Sequence, residues 1–204
     1  MAERVVLASN NPGKAQELAE LVRPLGASLH PQSAWSVPEA DETGTTFVEN
    51  AIIKARNACA HTGLPAIADD SGIEVDALDG APGVRSARFA GAHGDDAANN
   101  RYLIERLAGI PETERTARYQ CIMVYMAHAD DPTPLIAEGS WEGSIQDTPC
   151  GHNGFGYDPH FRVRGYDCTA AELDPATKNR ISHRGLAMQR LAERLNGGAA
   201  RLRW

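Results

Sequence analysis

The segment VVLASNNPGKAQELAELV, residues 5–22, constrains the fold more than any other stretch of the chain. Its apolar run at residues 5–9 predicts a buried strand, and from Gly13 apolar residues recur with helical spacing up to Gly26. The intervening loop places Lys14 in the first turn of that helix. The positive end of the helix dipole disfavours a cation there by roughly 0.3 to 1 kcal/mol. We therefore expect a negatively charged group near this helix start.

The next segments predict a second helix followed by strands. Thr46 and Glu49 have the spacing of a capping box, and the helical pattern that follows them stops at Gly63. A strand is then expected through Ala68, with a polar turn at residues 69–72 and a new strand after it.

The second half of the chain continues this mixture. The pattern predicts a loop rich in Gly and Pro at residues 79–91 and a helix at residues 95–107. Strand-like runs at residues 117–129 and 135–145, separated by DDPTP, predict an antiparallel hairpin. After a further loop, a last helix is expected from Ser182 to about residue 196. Crossover and hairpin connections together indicate an α/β fold with a mixed sheet, in one domain spanning residues 1–204.

Composition excludes several classes of function. A formal net charge of −7 argues against binding a nucleic acid polymer, which needs a basic surface. No stretch approaches the ~20 apolar residues of a membrane span, and the N-terminus lacks a signal-peptide pattern, so we expect a cytoplasmic protein. The cysteines contain no C-x-x-C pair, which indicates reduced thiols and not a zinc or disulfide framework; they are Cys59, Cys121, Cys150 and Cys168.

The first loop has the features of an anion site. It is not a Walker A motif, because Ala8 and Ala15 occupy positions where that motif needs Gly and Ser or Thr. Main-chain N–H groups at a helix start can still bind a phosphate together with short polar side chains and a lysine. An ordinary turn with the lysine in water explains the pattern equally well. The candidate residues are Ser9, Asn10, Asn11, Pro12, Gly13 and Lys14.

Cations recur at the start of the last helix. Ser182 is the expected N-cap, so His183 and Arg184 fall in the first turn, with Lys178 and Arg180 just upstream. The alternative is a solvated basic stretch, which is common.

Acidic residues supply a possible complement to these cations. ADDSG places Asp69 and Asp70 at the end of an apolar strand, where consecutive side chains point to opposite faces. PEADETG adds Glu39, Asp41 and Glu42. Phosphate-bound Mg²⁺ needs only one or two protein carboxylates, so Glu42 with Asp70 would suffice. Each acid alone is equally typical of a turn or a helix start.

Two further patterns remain open. Asn50 and Lys54 are four residues apart and share one helix face, which is either solvent-exposed or lines a pocket. GFGYDP suits a place where main chain approaches a ligand and a ring stacks on a flat base, and it equally suits a structural turn. None of the seven histidines has metal-binding spacing, and no Ser-His-Asp order is identifiable.

Taken together and in this order, SNNPGK, DETGTTFVENAIIKA, ADDSGIEVDALDGAPGVRSAR, GFGYDP and SHR resemble the inosine/xanthosine triphosphate pyrophosphatase family. The likeness runs from about residue 5 to residue 195. It implies a long mixed sheet flanked by helices, with two lobes and an active-site cleft between them. It also implies a homodimeric, Mg²⁺-dependent enzyme that hydrolyses ITP, dITP and XTP to the monophosphate and pyrophosphate.

The resemblance also implies roles for individual residues. Asp70 would be the proton acceptor and a metal ligand, and Asp41 or Glu42 would complete the metal site. Residues 9–14 would hold phosphates. The remaining substrate-binding residues would be Ser71, Phe155, Gly156, Tyr157, Asp158, Lys178, His183 and Arg184. Asn153 stands where the family commonly has Gly.

Two other functions compete with this interpretation. One is a pyrophosphatase of related fold that acts on other modified or on standard nucleotides. The other is a nucleotide-binding sensor without turnover, in which Asp70→Asn would leave function intact.

Overall fold

The structure is a computed structural model that describes residues 3–9, 18 and 26–197. Within them a sheet of six strands has the order β2-β1-β3-β4-β5-β6. Strand β1 is parallel to both β2 and β3, whereas β5 and β6 are antiparallel. The sheet is therefore mixed, which confirms the predicted α/β class. The strands are β1 Glu3–Leu7, β2 Ala27–Pro31, β3 Ala66–Val75, β4 Thr116–Met126, β5 Leu135–Ile145 and β6 Phe161–Val163.

The first two described helices begin where their caps predict. Helix α1, Phe47–Thr62, has the full capping box: Glu49 N–H donates to Thr46 Oγ1 at 3.3 Å, and Thr46 N–H donates to the Glu49 carboxylate at 2.9 Å. Helix α2, Asp96–Arg106, is capped by Asp95, whose carboxylate accepts the Ala98 N–H at 2.9 Å. The helix expected between Gly13 and Gly26 lies outside the described residues, apart from Leu18.

The last predicted helix is present, and the chain forms a further short helix before it. Helix α3, Pro175–Ile181, precedes helix α4, His183–Gly197. Asp174 caps α3 by accepting the Thr177 N–H at 2.9 Å, and Ser182 caps α4 by accepting the Gly185 N–H at 3.2 Å. The start of α4 is as predicted. Asp174 followed by Pro175 is a standard helix-start signal, and it could have revealed α3.

The polar turn expected at residues 69–72 is wrong, because β3 runs unbroken through this stretch. Asp69 and Asp70 therefore lie in the middle of a strand and not at its end. The polar residues are extended because they belong, with the apolar residues on both sides of them, to one strand that lies between β1 and β4 in the sheet. The following Gly- and Pro-rich segment includes the short 3₁₀ helix Gly83–Arg88.

The chain divides into two compact units, and the prediction of a single domain remains a prediction. The first unit comprises residues 1–70, 121–138 and 187–204, and its described core covers both faces of β1. Val5 and Leu7 pack with residues of α4, whereas Val6 packs with Ala51 and Ala55 of α1. This alternation follows from the two-residue period of a strand.

The second unit comprises residues 71–120 and 139–186. Its core joins β3, β4 and β5 to Leu103 and Leu107 from the end of α2. Tyr119, Trp141 and Phe161 supply the aromatic part of this core.

In the part of the chain that the structure describes, no helix is long and apolar enough to cross a membrane. All four cysteines are free.

Candidate active site

Asp70 is the centre of the first group of site residues. The Lys54 ammonium lies 2.9 Å from Asp70 Oδ1, and Asn50 Nδ2 donates to Asp70 Oδ2 at 3.3 Å. Asn50 and Lys54 lie one turn apart on α1, so both reach the same strand residue. The interpretation of this stripe as solvent-exposed is wrong, because Asn50 is fully buried.

Asn50 also holds the loop that precedes α1. Its Oδ1 accepts the Gly44 N–H at 2.9 Å, which leaves Nδ2 facing Asp70. One buried amide therefore ties the loop carrying Glu42 to the strand carrying Asp70. Such a fully bonded buried amide restricts the geometry of the groups around it.

Lys54 brings a second carboxylate to this place. Its ammonium lies 3.2 Å from Glu42 Oε1 as well as 2.9 Å from Asp70. The Asp41 side chain is exposed, and its main-chain carbonyl accepts the Thr43 N–H at 2.9 Å. Of the two adjacent acids that the sequence left open, the structure places Glu42 beside Asp70.

The charges of this group influence one another. Burial disfavours the charged form of Lys54, but the carboxylates of Asp70, Asp69 and Glu42 outweigh it and raise the pKa of the ammonium. Burial also raises the pKa of the Asp70 carboxyl, which the attraction of Lys54 offsets only in part. Asp70 is therefore a stronger base than an exposed aspartate.

The donor set suits a hard divalent cation that also binds phosphates. Within the described residues, no three His, Cys, Asp or Glu side chains form a ready metal cluster. Glu42 and Asp70, however, both reach the same ammonium nitrogen, so a cation at that place would contact both. Two carboxylates are enough for Mg²⁺ when phosphate and water supply the other oxygens.

A second group of site residues lies in the second unit around Asp158. This side chain is only 3% exposed, pairs with the Lys178 ammonium, and accepts the Phe155 N–H at 2.9 Å. A buried carboxylate with two such donors fixes both of them. Lys178 is thereby tied to the GFGYDP segment.

The Phe155 ring is presented between two cations. It is 58% exposed, with Lys178 Nζ 5.3 Å and Arg184 Cζ 5.7 Å from the ring centre. Arg184 Nη2 also donates to Ser71 Oγ at 3.4 Å. An exposed ring flanked by cations is a suitable platform for a flat, polar base.

His183 and Tyr157 are more enclosed than the sequence suggested. The His183 ring stacks on Tyr119, with ring centres 4.7 Å apart and planes 9° apart. The Tyr157 hydroxyl donates to the Ser86 carbonyl at 2.8 Å. Their predicted roles in substrate binding stay predictions.

Of the twelve predicted site residues that the structure describes, seven lie in two groups. Glu42 and Asp70 form one, and Ser71, Phe155, Asp158, Lys178 and Arg184 form the other. Of the predicted phosphate loop, Ser9 is half-buried, and residues 10–14 lie outside the described residues. Asn50 and Lys54 are the main residues that sequence reasoning did not assign, although their four-residue spacing was a usable signal.

Fold and side chains together define an α/β protein in which Glu42, from a loop, and Asp70, from β3, share one lysine, and in which an exposed aromatic ring is flanked by two cations. A family profile described as the Ham1 family matches residues 5–194, and the chain belongs to this family.

Comparison with individual proteins agrees with this assignment. The chain is 59% identical to the dITP/XTP pyrophosphatase of Thioalkalivibrio sulfidiphilus, covering 95% of this chain and 99% of that protein. It is 53% identical to the dITP/XTP pyrophosphatase of Vibrio cholerae, covering 93% and 94%. The solved structure of a HAM1 protein from Coxiella burnetii superposes with a TM-score of 0.92 at 49% identity, covering 96% of this chain and 100% of the other.

Proposed function

We propose that this protein hydrolyses the non-standard purine nucleoside triphosphates ITP, dITP and XTP to the monophosphate and pyrophosphate. The observation that carries the proposal is the Asp70 carboxylate, which is made more basic by burial and held by Lys54 and Asn50 next to Glu42. The names of the relatives support the choice of substrate.

Asp70 serves as the general base. It accepts a proton from the attacking water while the anhydride bond between the α and β phosphates breaks and pyrophosphate leaves. A base with a raised pKa accepts this proton more readily, and positioned general bases contribute about 10²- to 10⁴-fold to rate. Asn50 and Lys54 keep the carboxylate in place.

Glu42 and Asp70 would hold Mg²⁺. When bound, the ion neutralises phosphate charge and stabilises the charge that develops during bond cleavage. The resemblance implies either Asp41 or Glu42 as the second metal ligand. We propose Glu42, because it shares the Lys54 ammonium with Asp70.

The triphosphate supplies the negative charge expected beside Lys14 at the first helix start. We propose that residues 9–14 bind the triphosphate through main-chain N–H groups and the Lys14 ammonium. Phosphate is then the negative group that offsets the unfavourable position of this cation.

The second group serves the base of the same nucleotide. We assign the base to this group because the resemblance implies that its residues bind substrate. Phe155 stacks on the purine, and Lys178 adds positive charge. Hypoxanthine and xanthine carry an acceptor oxygen at C6 where adenine has an amino donor, so donors from His183 or Arg184 favour the former. Gly156, Tyr157 and Asp158 shape this platform.

Three properties implied by the resemblance complete the proposal: dependence on Mg²⁺, a homodimer, and a cytoplasmic location. Light scattering of the purified protein tests the dimer.

A panel of triphosphates assayed with Mg²⁺ for pyrophosphate release tests the activity. We expect ITP, dITP and XTP to be hydrolysed far faster than ATP, GTP, UTP or TTP. A preference for UTP or TTP would overturn the substrate assignment, and nucleotide binding without turnover would indicate a sensor.

A further inference from the structure

Both main-chain polar groups of Gly156 are bound by side chains of helix α2. The Gly156 N–H donates to Asp96 Oδ2 at 2.7 Å, and its carbonyl accepts from Asn100 Nδ2 at 2.8 Å. Asp96 and Asn100 are four residues apart, so they lie on one face of the first turn and a half of α2. The two contacts join positions 60 and 56 residues apart in the chain.

The two adjacent acids at the start of α2 have different partners. Asp95 caps the helix by accepting the Ala98 N–H at 2.9 Å, so the cap does not depend on Asp96. The Asp96 carboxylate instead contacts Gly156. Asn100 Nδ2 also donates to the main-chain carbonyl of Asp96 at 2.9 Å, which holds the Asn100 side chain against the first turn of α2. Hydrogen bonds to a charged acceptor are stronger than neutral ones.

What these contacts position is the neighbouring Phe155 ring. This ring is 58% exposed, so core packing restrains it little, and its place depends on the main chain that carries it. Asp158 binds the Phe155 N–H, and Asp96 with Asn100 binds the next residue. Gly156 has φ +62°. A glycine main chain can adopt many other conformations, so contacts from outside the segment are needed to hold it in this one.

We propose that Asp96 and Asn100 are positioning residues that hold Phe155 ready for the purine base. The inference rests on the proposed function, in which Phe155 stacks on that base. A platform ordered before the substrate arrives avoids the entropy cost of ordering it during binding. Loss of the anchor therefore weakens binding of the nucleotide and leaves the chemical step largely unchanged.

The test is a double-mutant cycle with steady-state kinetics on ITP. Asp96→Ala is expected to raise KM about tenfold, because it removes a hydrogen bond to a charged acceptor, and Asn100→Ala about fivefold, because its hydrogen bond is neutral, with kcat of both within about twofold of the parent. In a Phe155→Ala background the same changes are expected to add no further increase, because the ring they position is gone. Arg101→Ala, at an exposed position of the same helix, is the matched control.

Other results would overturn the inference. A fall in kcat at constant KM, or KM effects that multiply with that of Phe155→Ala, would mean that the helix supports the fold and not the ring. If circular dichroism shows that Asp96→Ala folds poorly, Asp96→Asn replaces it. Its amide oxygen still accepts the Gly156 N–H, so we expect a smaller rise in KM than in Asn100→Ala. An equal or larger rise counts against the inference.

The proposed function can fail separately. If the parent protein does not hydrolyse ITP, NMR relaxation still decides the positioning role. The backbone order parameter of Phe155 is expected to fall in Asp96→Ala and in Asn100→Ala relative to the parent, and an unchanged value in both would refute the anchor.

Discussion

The Lys54 ammonium lies 2.9 Å from the Asp70 carboxylate, and the same ammonium lies 3.2 Å from Glu42. Two acids from different segments of the chain thus share one cation from α1. Two carboxylates so placed repel each other unless a positive charge lies between them. This relationship leads to predictions about metal, activity and stability.

Lys54→Met leaves Glu42 and Asp70 without their shared cation. We expect the free energy of unfolding to fall by about 3 kcal/mol, the usual cost of removing one partner of a largely buried ion pair. Mg²⁺ then has more repulsion to relieve, so it should raise the melting temperature of Lys54→Met more than that of the parent. Thermal denaturation of both proteins with and without Mg²⁺ checks this. Equal shifts would show that Glu42 and Asp70 do not hold the ion.

Asp70→Asn removes the proposed base while keeping the shape of the side chain. We expect kcat for ITP to fall by about 10³-fold, within the range for loss of a positioned base, with little change in affinity. Kinetics and calorimetric titration of ITP separate the two effects. Asp130→Asn, at an exposed position of the same unit, is the control. Turnover by Asp70→Asn equal to that of the parent would show that Asp70 is not the general base.

The raised pKa of Asp70 predicts that stability depends on pH, and Asp70→Asn tests this. Burial holds the folded-state pKa of Asp70 above its ordinary 3.8, so the folded protein binds this proton more tightly than the unfolded chain. The resulting stabilisation is complete below pH 3.8 and is lost as pH rises through the folded-state pKa. As pH rises from 3.8 through the folded-state pKa of Asp70, the parent should therefore lose stability relative to Asp70→Asn. Melting temperatures of both proteins from pH 3 to 8 measure the trend, and a difference that moves the other way would contradict it.

Gly154→Ala tests the group around Asp158. At φ +77° a side chain is strained, and a Cβ at this position would meet the Asp158 carboxylate and lie 2.7 Å from Lys178 Nζ. We expect a loss of about 1 to 2 kcal/mol in stability together with a raised KM for ITP. Gly165→Ala is the matched control, because Gly165 has φ +82° and nothing within 4 Å of its Cβ position. Equal KM values for the two variants would show that displacing Asp158 and Lys178 does not affect ITP binding.

Much of the fold could be predicted because its signals are local. The capping box of Thr46 and Glu49 joins residues three apart, and the start of α4 at Ser182 depends on a contact of the same span. The error at residues 69–72 has the opposite origin. A polar stretch resembles a turn until the neighbouring strands that pair with it are known.

The sequence alone determined the class of fold, the ends of the main helices, and the residue types from which a phosphate-cleaving site can be built. Tertiary structure decided which of those residues meet. It selected Glu42 over Asp41, added Asn50 and Lys54 to Asp70, and connected Asp96 to the segment carrying Phe155. Capping and periodicity depend on residues within one or two turns, whereas these contacts span 12 to 60 residues and exist only once the elements have packed.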